Sequence, residues 1–205
     1  MPTANEWLLF LGASALFAVL PGPGVLYVLA RSLSGGRAVG MRSVLGNGLG
    51  ALMHVAAAAV GLSALLAASA PAFTVVKYLG AAYLVYLGIR ALRGSDEVVA
   101  DVEAHNRSVV VQGFLSEVLN PKTALFFLAF LPHFVHPETA PAPLVFLLLG
   151  AIAVAMAVTV DVLVALGAGA ISAKLAAMPR WRLWQRLATG LTMIGLGGAL
   201  ATAER

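Results

Sequence analysis

The hydrophobic positions of this chain fall into six long runs separated by polar connections. Each run is about as long as the 20 mainly apolar residues that a helix needs to cross a bilayer. They cover 7–30, 43–66, 73–92, 109–131, 143–168 and 185–203. The one polar stretch of any length, 93–108, mixes Asp96, Glu97, Asp101 and Glu103 with Arg93 and Arg107 and reads as a solvated linker. The pattern predicts an all-α polytopic membrane protein, with one transmembrane domain over 1–205. The first run reads as a retained helix and not as a signal peptide. Residues 1–6 carry no Lys or Arg and end in Glu6, and the apolar run continues past Pro21 and Pro23.

Basic residues alternate between the connections. Arg31, Arg37 and Arg42 lie in the first, Arg90, Arg93 and Arg107 in the third, and Lys174, Arg180, Arg182 and Arg186 in the fifth. Only Lys77 and Arg205 fall on the other set, so the division is ten against two. The positive-inside rule then predicts connections one, three and five in the cytoplasm and both termini outside. The stretch 171–186 sets Trp181 and Trp184 among basic residues, which suits a short helix at the cytoplasmic interface in contact with membrane lipids.

The long linker divides the chain into half-repeats of about 1–92 and 109–205. Each half opens with a helix broken by proline, at Leu20-Pro21-Gly22-Pro23-Gly24 and at Leu119-Asn120-Pro121-Lys122. Each continues with a helix rich in small residues, carrying Gly46, Gly48 and Gly50 in one half and Gly150 and Ala151 in the other. Three spans per half is odd, so the second half enters the membrane from the opposite side. This predicts a 3+3 inverted repeat with helices 1 and 4 broken, an arrangement that places a transport site at the breaks.

Composition reinforces the membrane reading. Hydrophobic residues make up 60% of the 205 and charged residues 11%, against roughly 45–50% and 25% in soluble domains. With no cysteine, disulfides and thiolate chemistry are excluded. The net charge of +4 sits between apolar runs and points to membrane orientation, not to nucleic acid. No metalloprotease motif, Walker loop or nucleophile elbow occurs, so neither an enzyme nor an ATP-driven pump is indicated, and no cofactor is called for.

Candidate chemistry lies where polar groups fall inside the runs. Pro21, Gly22, Pro23 and Gly24 cannot form regular helix, and their bare backbone must face protein or water. Lys122 is about nine residues, or roughly 13 Å, from the nearer end of its span. Snorkelling over that distance is strained, so the ammonium faces the interior. It either bonds carbonyls loosened by Pro121 or, with Asn120, draws a substrate carboxylate. Glu117 and Asp161 sit at similar depth, roughly 10–12 Å from the cytoplasmic boundary. They are proton-coupling candidates or members of a structural ion pair. His54 is a satisfied buried histidine or a proton relay. Asn47 shares its helix face and needs buried partners or a substrate. The Gly46–Gly50 spacing suits close packing, within the chain or in a homodimer. His133, His136 and Glu138 make a weak metal set.

Pro21-Gly22-Pro23, the basic stretch from Arg31 to Arg42 and Gly46-Asn47 form one motif; Gly113-Phe114, Leu119-Asn120-Pro121-Lys122 and Leu125-Phe126-Phe127 form another. Together, at this spacing and over nearly the whole chain, they resemble the LysE/RhtB family of amino-acid exporters. The resemblance implies efflux of amino acids or close derivatives from the bacterial cytoplasm through the inner membrane, coupled to protons, with both proline breaks building the site. The competing readings are a divalent metal-ion exporter using His54, Glu117 and Asp161, and a membrane scaffold. Lys122 disfavours the first, because a buried cation repels a metal.

Overall fold

In the computed structural model, residues 2–62 and 108–176 are described continuously, along with single positions between 75 and 93 and between 183 and 201 that are all helical. The linker 94–107, most of the third and sixth spans, and Trp181 and Trp184 lie outside the described residues. Every described element is helical or a turn, and no strand occurs among them.

The first span is two helices. Helix α1, Ala4–Val19, begins with a capping box in which the Thr3 side chain accepts from the Glu6 N–H and Glu6 reaches back to Thr3. It stops at Leu20, which is extended (φ −68°, ψ 122°). Helix α2, Pro23–Ala57, restarts after Gly22, with Pro23 in its first turn, where a missing N–H costs nothing. It continues as a π-helical turn, Ala58–Leu62.

The predicted basic loop after the first span is not a loop. Helical structure runs through Arg31, Arg37 and Arg42 and reverses at one residue, Gly36 (φ 76°, ψ −177°). That conformation is essentially restricted to glycine. A Cβ on Gly24 would lie 2.9 Å from Asn47 Nδ2. In one straight helix those residues would be roughly 34 Å apart. Helix α2 is therefore a hairpin of two arms, 23–35 and 37–57.

The fourth span is also broken. Helix α3, Val109–Val118, is capped by Ser108, whose hydroxyl accepts from the Val111 N–H at 3.3 Å. Helix α4, Pro121–Leu125, is capped by the Asn120 side chain. It passes into a π-helical turn, Phe126–Phe130, and a 3₁₀ turn, Leu131–Phe134. The two parts of the span bend by 49°. Helix α5, Ala142–Ala176, outruns its predicted span. Residues 171–176, expected to begin a separate interfacial helix, continue it, because their sequence contains no proline or glycine to stop it.

Lengths and apolarity suit Pro23–Leu62 and Ala142–Gly167 to crossing a membrane, and the bent pair makes a third candidate. The hairpin divides the first of these in two. An aromatic core packs α1 against the segment after the second break: Phe17 stacks on Phe126 at 4.3 Å, and Phe10 meets Phe134 edge-on at 5.5 Å. Glycine lets α2 and α3 touch backbone to backbone. A Cβ on Gly46 would overlap Val110 O, one on Gly50 would lie 2.8 Å from Phe114 O, and one on Gly113 would lie 2.9 Å from Ser43 O. Lipid tails provide no hydrophobic drive between helices, so this close packing is what joins them. The Gly46–Gly50 face is thereby used within the chain.

Replacing Gly36 with Ala leaves space for the methyl group but not for the dihedral angles. We expect a loss of roughly 1–3 kcal/mol of stability, read as a lower midpoint of thermal unfolding in detergent. An unchanged midpoint would show that the reversal tolerates a side chain.

Candidate functional site

The two proline breaks face each other, and the polar residues of the interior collect around them. Pro21 has no N–H for the Phe17 carbonyl four residues back, and Leu20, whose N–H still bonds Leu16 O at 3.0 Å, turns its own carbonyl out of the helical ladder. Lys122, buried, supplies the missing donors. Its Nζ donates to Phe17 O at 2.7 Å and to Leu20 O at 2.6 Å, and sits 4.4 Å from the Phe17 ring centroid. A Cβ on Gly22 would lie 3.0 Å from the lysine's Cδ, so the missing side chain leaves room for its stem. The sequence offered the carbonyls of Pro121's own break as the structural alternative; the ammonium is on the carbonyls of the other break.

Pro121 likewise leaves the Glu117 carbonyl without its helical donor. The Asn120 N–H reaches it at 3.1 Å, and His54 Nε2 lies 3.1 Å from it. The Glu117 carboxyl is buried in a cage of its own span. Thr123 Oγ1 donates to Oε1 at 2.5 Å and Asn120 Nδ2 to Oε2 at 3.1 Å, while Asn120 Oδ1 accepts from the Lys122 N–H at 3.1 Å. Gly24 completes the cage by omission, because a Cβ there would overlap Glu117 Oε2 and crowd Asn47 Nδ2.

Asn47 comes from the second arm of α2 and Asp161 from α5. Asn47 Nδ2 donates to Asp161 Oδ2 at 3.2 Å. Both side chains are buried, and among the described residues Asn47 Oδ1 and Asp161 Oδ1 have no hydrogen-bond partner. Ser14 Oγ on α1 shares that condition. Buried polar atoms are nearly always paired, so open acceptors here need a reason. Asp161 thus bonds the Asn47 amide, and Glu117 shares the space beside Gly24 with that amide. Pro21, Gly22, Pro23, Gly24, Asn47, Asn120, Pro121, Lys122, Glu117, Asp161 and His54 all fall on the two breaks or the helices packed on them.

Four contributors were missed in the sequence: Ser14, Tyr27, Gln112 and Thr123. All lie within predicted spans, so a search for uncharged polar side chains as well as charged ones would have found them. Tyr27 Oη donates to Val109 O at 2.8 Å, and Arg31 bonds Gln112, which ties the first arm of α2 to the start of α3. At the other end, His136 Nε2 meets Glu6 Oε1 at 3.0 Å and its Nδ1 lies 3.6 Å from Glu138. The pair His136–Glu6 joins the start of α1 to the turn before α5. Among the described residues no group of three His, Asp or Glu side chains is placed to hold a metal.

These features define a multi-pass helical membrane protein with a buried polar site between two broken helices. The chain belongs to the LysE type translocator family, whose sequence profile matches residues 15–204. It is 38% identical over 221 residues to an uncharacterized membrane protein of Pseudomonas aeruginosa, covering 99% of each chain. It is 32% identical over 206 residues to another of Vibrio cholerae, covering 98% of each. A homoserine/homoserine lactone efflux protein of Salmonella typhimurium is 28% identical over 208 residues, again covering 98% of each. No solved structure gives a significant match.

Two predictions follow from this geometry. Replacing Gly24 with Ala drives a methyl group into the Glu117 cage and the Asn47 amide; we expect roughly 1–3 kcal/mol of destabilisation, measured as a fall in unfolding midpoint. A variant as stable as the parent would show that the cage is loose. Glu6 lies outside the predicted span. The Thr3 N–H that donates to it holds its carboxyl below the usual carboxylate range, helped by the Thr3 hydroxyl and His136 and opposed by partial burial. A depressed folded-state value means that Glu6 stabilises the fold above its unfolded value of 4.5 and loses that contribution as pH falls through the lower folded one. Glu6→Gln should therefore flatten the acid side of the stability curve, and an unaltered acid limb would contradict the assignment.

Proposed function

We propose that this chain is a secondary active exporter of amino acids or close derivatives. It carries them out of the bacterial cytoplasm through the inner membrane by alternating access between two inverted three-helix halves. Family membership supports transport, and the homoserine/homoserine lactone efflux relative supports a small amino-acid-like cargo. The contacts at the two ends support the grouping of the connections onto two sides that the charges give. Glu6 and His136 join the N-terminus and the fourth connection, both assigned outside; Tyr27 and Val109 join the ends of the spans next to connections one and three, both assigned to the cytoplasm.

The observation that carries the reading is the open pair of acceptors, Asn47 Oδ1 and Asp161 Oδ1. Two bare oxygens on bonded neighbours, deep in a helix bundle, match an ammonium group, which brings only donors. The substrate amino group binds there. Its carboxylate takes the remaining N–H of Lys122, with the Asn120 side chain and the backbone of Pro21–Gly24 around it. On the empty return, a proton on Asp161 or Glu117 replaces the ammonium. Proton exchange thus drives export without a nucleotide.

Transport in proteoliposomes loaded with a panel of radiolabelled amino acids tests this. We expect the parent to release at least one of them faster under a proton gradient. Lys122→Ala and Asp161→Asn should each cut the rate by roughly tenfold or more, the consequence of losing about 1.4 kcal/mol of binding. If both variants export at the parental rate, the site is elsewhere; if no member of the panel moves, the substrate class is wrong.

A further inference from the structure

The first break is held by a side chain from the second half: Lys122 reaches carbonyls released around Pro21. The second break has a matching contact from the first half. Pro121 removes the N–H that would bond Glu117 O, and His54 Nε2, from the second arm of α2, lies 3.1 Å from that oxygen. A carbonyl only accepts, so Nε2 must carry the hydrogen. The imidazole lies almost parallel to the Phe127 ring, at 6.1 Å and 6°, which fixes its plane. Phe127 belongs to the π-helical turn that follows the break, so His54 touches the broken span on both sides of Pro121.

We propose that His54 is a positioning residue, the reciprocal of Lys122. It donates a hydrogen bond to the Glu117 carbonyl, holds the second break, and so sets the Glu117 carboxyl in its cage against Gly24 and Asn47; it exchanges no proton in the transport cycle. A Cβ on Gly50 would lie 2.8 Å from Glu117 Cβ, so the same arm that carries His54 also presses on Glu117 from one turn away. Each half therefore clamps the break of the other. The breaks cannot move independently, which is what two halves that switch together require. The transport part of this inference rests on the exporter reading above; the hydrogen bond does not.

Two substitutions separate the roles. His54→Gln keeps a neutral N–H donor and has nothing to titrate. His54→Phe keeps a ring on Phe127 and has no donor. In the proteoliposome assay we expect His54→Gln to stay within about twofold of the parent with an unchanged pH profile, and His54→Phe to fall roughly tenfold, as for loss of one buried hydrogen bond. A pH profile that shifts or flattens in His54→Gln overturns the proposal in favour of a proton relay, and so does parental activity of His54→Phe. A second readout needs no substrate. In protein labelled with ¹⁵N-histidine, the imidazole signal absent from His54→Gln belongs to His54. We expect its Nε2 to carry the hydrogen at neutral pH; a bare Nε2 overturns the clamp. If His54→Phe fails to fold, His54→Gln and the ¹⁵N signal still decide. If the parent exports nothing from the panel, the exporter reading fails while the ¹⁵N signal judges the clamp on its own.

Discussion

A carbonyl oxygen without a donor costs several kcal/mol in hydrocarbon, and this chain creates such oxygens on purpose. Pro21 and Pro121 each cancel a helical hydrogen bond in mid-span. In water the orphaned groups would be solvated and the prolines would be minor kinks. In a bilayer each must find a donor in the protein, and that requirement organises the interior. The ammonium of Lys122 goes to Phe17 and Leu20, and at Glu117 the imidazole of His54 joins the N–H of Asn120. Both side chains cross from one half of the chain to the other, so satisfying the backbone also joins the halves.

Close contact between helices makes those reaches possible. Arg, Lys and His are long, but the cage around Glu117 is built from short groups: Thr123, Asn120, Asn47 and the absent side chain of Gly24. Short groups meet only when backbones approach closely. Gly46, Gly50 and Gly113 provide that approach between α2 and α3, and Gly150 does so between α2 and α5, where a Cβ would lie 2.6 Å from Val55 Cγ1. The glycine stripe and the polar site are therefore one structural device. Filling the stripe between α2 and α3 would push Glu117 away from the Gly24 and Asn47 side of its cage.

The breaks were legible because proline chemistry is local: a missing N–H has the same consequence in any helix. The burial of Lys122 was legible from a residue count, since a side chain of fixed length cannot reach either surface from mid-span. The reversal at Gly36 was not. Three arginines in a dozen residues read as loop by polarity, whereas the helix runs through them and turns on one glycine. The partners were not legible either. Asn47 meets Asp161 across 114 residues and Lys122 meets Leu20 across 102. Which face of each helix turns inward depends on packing that periodicity does not report when every face is apolar. Uncharged polar residues such as Thr123 and Gln112 give too little contrast in such a sequence to be noticed one at a time.

The distribution of satisfied and unsatisfied atoms narrows what the interior is for. Apart from Ser14, its donor groups are engaged: Lys122 on two carbonyls with one N–H to spare, Thr123 and Asn120 on Glu117, Asn47 Nδ2 on Asp161. Among the described residues two acceptors are not, Asn47 Oδ1 and Asp161 Oδ1. Backbone N–H groups within α2 and α5 are spent on their own helices and cannot turn to them. A structural network would close itself, because half-satisfied polar groups are worse than an apolar core. What would complete this one is a group that brings donors and is free to leave. An ammonium and a proton are the two simplest such groups. On the exporter reading they occupy the same oxygens in turn, and their competition couples one flux to the other. On that reading the donors that hold the breaks stay engaged on the backbone, and the oxygens open between them receive the cargo.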